Sequence, residues 1–304
     1  MNGTVVVVML FLACVASAAI AGLLLYLNRD TTGDTDGTGG GGTGGGGTVG
    51  TYSAGGGAVG GDLPVADLKK AGGGAWNVQG RMDWKKSGVT TFQGSPVVRV
   101  FYGKGSGTSH HPGVGGIGFD CVPRGLPGTS AMMTFQLFFE PGWDFSGGGK
   151  MTGFRIGTGH ASGGRHSATA ASCRMSFKVG GGAWMYIYPP MGLEQVDPEL
   201  RRDTGSGIGM FRDNFPPGTL KIGAWNDVKI GVRINTFDAS GLPNADGASH
   251  LNVNGRTATL SNIRWSRSKD LVITAYNFTS FFGGSDPAKV DCAALFRNFK
   301  LSRY

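Results

Sequence analysis

The run Thr169-Ala170-Ala171-Ser172-Cys173-Arg174-Met175-Ser176-Phe177-Lys178-Val179-Gly180-Gly181-Gly182-Ala183-Trp184-Met185-Tyr186-Ile187-Tyr188 decides the fold class. Ala171, Cys173, Met175, Phe177 and Val179 are apolar, and Ser172, Arg174, Ser176 and Lys178 stand between them. A period of two is that of a pleated strand with one face on a core. After three glycines the alternation resumes, with Trp184, Tyr186 and Tyr188 on one side and Met185 and Ile187 on the other. A hairpin symmetric about Gly181 puts Arg174 opposite Tyr188, Ser176 opposite Tyr186 and Lys178 opposite Trp184. A slip of one residue mixes the two faces, so the pattern resists slippage.

Further candidate strands flank this hairpin: 97–102, 117–122, 132–140, 227–237, 250–254, 270–277 and 294–301. Val228, Ile230, Val232 and Ile234 alternate with Lys229, Gly231, Arg233 and Asn235. Asn254-Gly255 is a two-residue hairpin signal. Helices are expected only as short pieces near 65–70 and 197–202. Short strands, turn punctuation and no β-α alternation predict an all-β domain over 62–304, a jelly-roll β-sandwich of two antiparallel sheets.

Two segments precede that domain. Val5 to Leu27 is an uncharged, mostly apolar run of 23 residues, closed by Asn28, Arg29 and Asp30. About 20 such residues span a bilayer as a helix, so residues 1–30 read as a single transmembrane anchor. A cleaved signal peptide is the alternative, with Ala16-Ser17-Ala18 as its small-residue site. Residues 31–61 are Gly/Thr-rich with repeated G-G-G-G-T units, the composition of a flexible linker. The two readings of the first segment give a single-pass membrane protein with an exposed C-terminal domain, or a secreted protein.

Charge narrows the partners. The first 61 residues hold one cation (Arg29) and three acids (Asp30, Asp34, Asp36), so of 28 Lys/Arg and 20 Asp/Glu the domain keeps 27 and 17, a net of +10. Such a domain attracts polyanions, although simple solubility explains a basic surface equally well. The cations are dispersed through strands with no block of five or more, which argues against nucleic acid. Cys14 lies in the apolar run, leaving Cys121, Cys173 and Cys292. No C-x-x-C pair suggests zinc, and one disulfide plus a free thiol or three buried thiols both fit. His110-His111 reads as loop surface, without a carboxylate nearby to complete a metal site. Asn277-Phe278-Thr279 matches a glycosylation sequon at a strand end. No P-loop, dinucleotide fingerprint or G-x-S-x-G occurs, and oligomeric state leaves no mark in the pattern.

The hairpin's polar face carries the chemistry. Aromatic rings offer flat apolar surface to sugar C–H faces, and a guanidinium meets a carboxylate in a two-pronged fork. A face with Ser172, Arg174, Ser176, Lys178, Trp184, Tyr186 and Tyr188 therefore suits an acidic sugar; an ordinary solvated face is the bland alternative.

Several motifs extend this reading: Phe138-Phe139-Glu140-Pro141-Gly142-Trp143, Gly148-Gly149-Lys150-Met151-Thr152-Gly153, Ser172-Cys173-Arg174, Tyr186-Ile187-Tyr188-Pro189, Phe281-Phe282-Gly283-Gly284-Ser285 and Ala294-Leu295-Phe296-Arg297-Asn298-Phe299. In this order they resemble polysaccharide lyase family 14, which includes alginate and glucuronate lyases, over about Val97 to Ser302. Met151-Thr152 departs from the family's usual Leu-Pro. The resemblance implies a jelly roll holding an acidic polysaccharide on a concave face, with Lys150, Ser172, Arg174, Tyr186 and Tyr188 on active-site positions and no cofactor or metal. It implies β-elimination from a uronate, which requires the C6 carboxylate to be neutralised while C5 loses its proton. Arg174, helped by Ser172, is the expected neutraliser. Lys150 or Tyr188 is the expected base and Tyr186 or Tyr188 the acid. Ser176, Lys178, Trp184 and His166 are expected to bind substrate, with the 157–166 loop as a cationic lid or as plain surface. A glycan-binding or structural virion protein on the same scaffold, without turnover, is the alternative.

Overall fold

The computed structural model describes residues 61–63, 86–108, 111–123, 125–159, 161–163, 167–197, 215–283 and 286–304. The anchor, the linker up to residue 60, the helix at 65–70, most of that at 197–202 and His166 lie outside the described residues. Among the described residues no helix is long and apolar enough to cross a membrane.

Among the described residues thirteen strands form two antiparallel sheets. The larger runs β11 (Arg256–Ile263), β10 (Gly247–Val253), β9 (Trp225–Arg233), β5 (Ser130–Phe139), β13 (Cys292–Ser302), β3 (Ser95–Tyr102) and β2 (Gly88–Phe92). The short β1 (Gly61–Leu63) also pairs with β13. The smaller runs β4 (Ile117–Cys121), β12 (Ile273–Phe282), β6 (Gly149–Gly157), β7 (Ala170–Phe177) and β8 (Ala183–Tyr188). The only helical turn described is 3-10, at Val179–Gly181. The all-β, two-sheet architecture read from the alternation is the one observed.

Each sheet turns its apolar face inward. Met133, Phe135, Val228, Ile230, Val232 and Phe296 from the larger sheet join Phe154, Ile156, Cys173, Met175, Phe177, Met185 and Ile187 from the smaller in one buried core. Trp143 packs among Tyr102, Phe139, Phe177 and Phe282, with ring centroids 4.5–5.5 Å apart. A buried aromatic of this kind stabilises by about 3–5 kcal/mol against truncation to alanine. Cys121, Cys173 and Cys292 are buried free thiols, which decides between the two cysteine readings. Burial pushes the Cys292 thiol up to about 12, so it stays protonated.

The strands not anticipated are the polar or interrupted ones. β2 and β11 are Thr-rich edge strands, and β6 carries Gly149, Gly153 and Gly157. The Asn254-Gly255 hairpin forms as expected: both residues take positive φ, 52° and 84°, and Val253 pairs with Arg256.

Candidate active site

The hairpin of β7 and β8 forms, but its register is shifted by two from the expected one. Ser172 pairs with Tyr188, Arg174 with Tyr186 and Ser176 with Trp184. The turn is centred on Gly180 and not on Gly181: the Lys178 amide donates to the Gly182 carbonyl at 2.9 Å, and Gly180 and Gly181 adopt φ of 73° and 78°. A run of three glycines leaves the centre of a turn undetermined, because any of them accepts left-handed φ. A shift of two preserves parity, so every side chain keeps its expected face. Lys178 leaves the strand and sits at the turn, yet its Nζ lies 4.8 Å from the centroid of the Trp184 ring.

β6 completes the face through a bulge. Lys150 pairs with Ser176 and Gly153 with Arg174, so three steps on β6 match two on β7. The extra residue lets Lys150, Gly153 and Arg155 share one face despite odd spacing. Lys150 Nζ lies 5.3 Å from the Tyr186 ring centroid and 5.4 Å from that of Phe281, its partner on β12. Two favourable ring faces hold the ammonium at this edge. Gly153 leaves room for Arg174: a Cβ there would lie 2.1 Å from the Cys173 carbonyl oxygen and 2.8 Å from Arg174 Cγ.

The phenols meet directly. Tyr186 and Tyr188 share a hydroxyl–hydroxyl hydrogen bond of 2.6 Å, with ring centroids 5.1 Å apart. Tyr186 is partly exposed, whereas Tyr188 is fully buried, packed with Ala161, Ala170 and Tyr186. Arg174 (4% exposed), Ser172 and Ser176 are also buried on this face. The Ser172 hydroxyl donates to the Ala161 carbonyl at 2.6 Å, so its one hydrogen is committed to the 159–163 loop and only its lone pairs face a ligand.

A small cleft of about 20 Å³, open to solvent, lies beside these groups and is lined by Arg155, Ser162, Ser172, Arg174 and Asn277 among others. Asp120 on β4 accepts from Asn277 Nδ2 at 2.7 Å and pairs with Arg155 Nη2 at 3.0 Å. Asn277, in the middle of β12 and only 5% exposed, is thus an interior sheet residue, not an accessible glycosylation acceptor. Arg155, Asn277, Asp120 and Phe281 were not expected at the site from sequence, where Asn277 was read only as a sequon. Only the F-F-G-G motif hinted at Phe281; the other three come together solely through the order β4-β12-β6-β7. Among the described residues no group of three or more His, Cys, Asp and Glu is placed to hold a metal ion.

The structure therefore brings Lys150, Ser172, Arg174, Ser176, Trp184, Tyr186 and Tyr188 onto one face, with Lys178 at its rim. Across β4, β12, β6, β7 and β8 the only acidic residue is Asp120. A two-sheet sandwich with cations and phenols gathered on an acid-poor sheet face defines a protein class suited to acidic sugars.

The profile of Polysaccharide lyase 14 matches residues 90–299, and the chain belongs to that family. An alginate lyase from Chlorella virus, vAL-1, has a solved structure with 44% identity and a TM-score of 0.73, covering 81% of this chain and 100% of its own. The marine alginate lyase of Aplysia kurodai, at 23% identity and TM-score 0.59, covers 72% of this chain and 88% of its own, and shares the fold. Exolysin of Paramecium bursaria Chlorella virus 1 is 26% identical over 223 residues; the match takes in 64% of this chain and 33% of that protein.

Proposed function

We propose that the domain cleaves a polyuronate by β-elimination, with an alginate- or glucuronan-like polymer as substrate. The observation that carries this is the joining of Lys150, Arg174 and the Tyr186–Tyr188 pair on a sheet face almost free of acids. Arg174 neutralises the uronate carboxylate and so stabilises the enediolate that forms when C5 loses its proton. Lys150 and Tyr186, the partly exposed members, serve as base and acid: one takes the C5 proton, the electron pair forms C4=C5, the C4–O4 bond breaks, and O4 leaves with a proton from the other. Tyr188, fully buried and bonded to the Tyr186 hydroxyl, orients that phenol and relays its proton. Trp184 and Lys178 flank the sugar, with Ser176 behind them. Free Lys and Tyr both start near pKa 10, so the base must be more acidic in the complex than in water.

Incubating the full chain with a panel of polyuronates tests this reading. The expected result is ultraviolet absorbance from the new double bond, growing with each cut. Reducing ends without that absorbance would mean hydrolysis. Binding without any cleavage, unchanged in Lys150→Ala, would favour a glycan-binding protein on the same scaffold.

The apolar run at 5–27 and the Gly/Thr-rich segment after it support display of the domain on a membrane, where it would reach an algal cell wall. Recovery of the chain in a soluble fraction after sedimentation of membranes would refute that placement.

A further inference from the structure

Beside the groups assigned above lies a second cation that the elimination does not use. Arg155 stands two residues beyond Gly153 on β6, in the row Ala275–Arg155–Ser172–Tyr188, next to the row Asn277–Gly153–Arg174–Tyr186. The two rows are about 7 Å apart along the strand. Arg155 and Arg174 line the same cleft. Arg155 is held there by Asp120, whose second oxygen holds Asn277. Asp120 is the one carboxylate on an otherwise cationic sheet, and it stands against polyanion binding by its own charge. Its position is accounted for by what it orients: one guanidinium nitrogen and one amide nitrogen are taken up, and the remaining donors of the Arg155 fork keep their direction. Ser172, with its hydrogen given to Ala161, does not supply a donor in this cleft.

We propose that Arg155, braced by Asp120 and accompanied by Asn277, is a second uronate subsite that grips the carboxylate of the sugar next to the one being cleaved. This rests on the polyuronate reading above and deepens it by adding a residue that grips the chain away from the reacting ring. Arg174 takes the reacting ring's carboxylate and Arg155 the neighbour's, so Arg155 sets register along the chain and is not a catalytic residue.

The experiment compares wild type with Arg155→Ala, Arg155→Lys and Asp120→Asn in the full chain. On a homopolymeric uronate, Arg155→Ala is expected to raise KM about ten- to a hundredfold while kcat changes by less than about threefold, the loss of one charge-assisted contact in binding. Arg155→Lys recovers part of the affinity and Asp120→Asn falls between. Titration of uronate oligosaccharides into Lys150→Ala and Lys150→Ala/Arg155→Ala reads the same affinity loss without turnover. On a glycan in which uronates alternate with neutral sugars, wild type and Arg155→Ala are expected to bind with equal, weak affinity; an affinity loss in the variant there as large as on the homopolymer would overturn the subsite. An unchanged KM and an unchanged binding constant, with or without a fall in thermal stability, would overturn the subsite and leave the ion pair as a sheet staple. Failure of the wild type to cleave any polyuronate overturns the elimination reading instead, and the oligosaccharide titration still decides the subsite.

Discussion

The outward faces of the two sheets look alike in sequence and differ in what stands beside their cations. On the larger sheet Arg297 lies 3.7 Å over the Trp225 ring and donates to Gln136 at 2.9 Å, and Gln136 in turn donates to Asp227 at 2.9 Å. Arg99 forms a fork on Glu140 at 2.8 and 2.9 Å. Beneath this network Val97, Phe138 and Leu295 pack with Phe92 and Trp225. The smaller sheet has Lys150, Arg155 and Arg174 on its outward face and one acid, Asp120. The larger hollow, about 440 Å³, lies on the large sheet, but its lining holds both Lys229 and Asp227 and contains no phenol. Hollow size does not find the site here; cations gathered beside aromatic hydroxyls do. Ion pairs between exposed side chains stabilise a sheet modestly, whereas several cations on strands with a single acid create a positive potential that attracts an anionic ligand.

Substitutions on the two faces should therefore separate activity from stability. The largest effect is expected on the small sheet: Lys150→Ala or Arg174→Ala should lower kcat/KM by on the order of 10²–10⁴, with the far-ultraviolet dichroism unchanged. Gly153→Ala comes next. Its methyl would press on the Cys173 carbonyl and on Arg174 Cγ. It should cost about 1–3 kcal/mol in denaturant unfolding and move Arg174 enough to reduce turnover about tenfold or more. Tyr188→Phe removes the phenol pair at 2.6 Å but keeps the ring. A drop in kcat of roughly tenfold with a stability change of about 1 kcal/mol is expected, and a shifted alkaline limb in the pH–rate profile would mark its action through Tyr186.

The large sheet supplies the controls. Arg297→Ala should lower stability by about 0.5–1 kcal/mol through loss of the stacked guanidinium, while leaving polyuronate cleavage within twofold of wild type. A large loss of activity there would break the contrast between the faces. The smallest effect concerns His250 on β10. Burial, and secondarily the Lys229 ammonium, hold its imidazole below the ordinary value of 6.5. The unfolded chain then binds the proton more readily, so this contribution to stability is complete above pH 6.5 and is lost as pH falls through the folded value. His250→Asn should flatten that part of the stability profile, measured as urea midpoints across the acid range.

Much of the fold was legible because alternation is a local property. Val228 to Ile234 and Ala171 to Phe177 state which side faces the core wherever the strand is later placed. β2, β6 and β11 escaped because threonine at an edge and glycine at a bulge blur that signal. The hairpin register was out by two for the same local reason, a turn of interchangeable glycines.

What the sequence by itself determined is the sidedness of each strand, the basic excess, and the motif set that resembles one lyase family, because each depends only on residues near in the chain. Tertiary structure alone decided that a bulge in β6 turns Lys150 toward Tyr186, that Ser172 spends its hydrogen on Ala161, and that Asp120 holds Arg155 and Asn277 at the edge of the cleft. Those contacts join residues from different strands, and their partners are set by strand order and register, which the periodicity of a single strand does not encode.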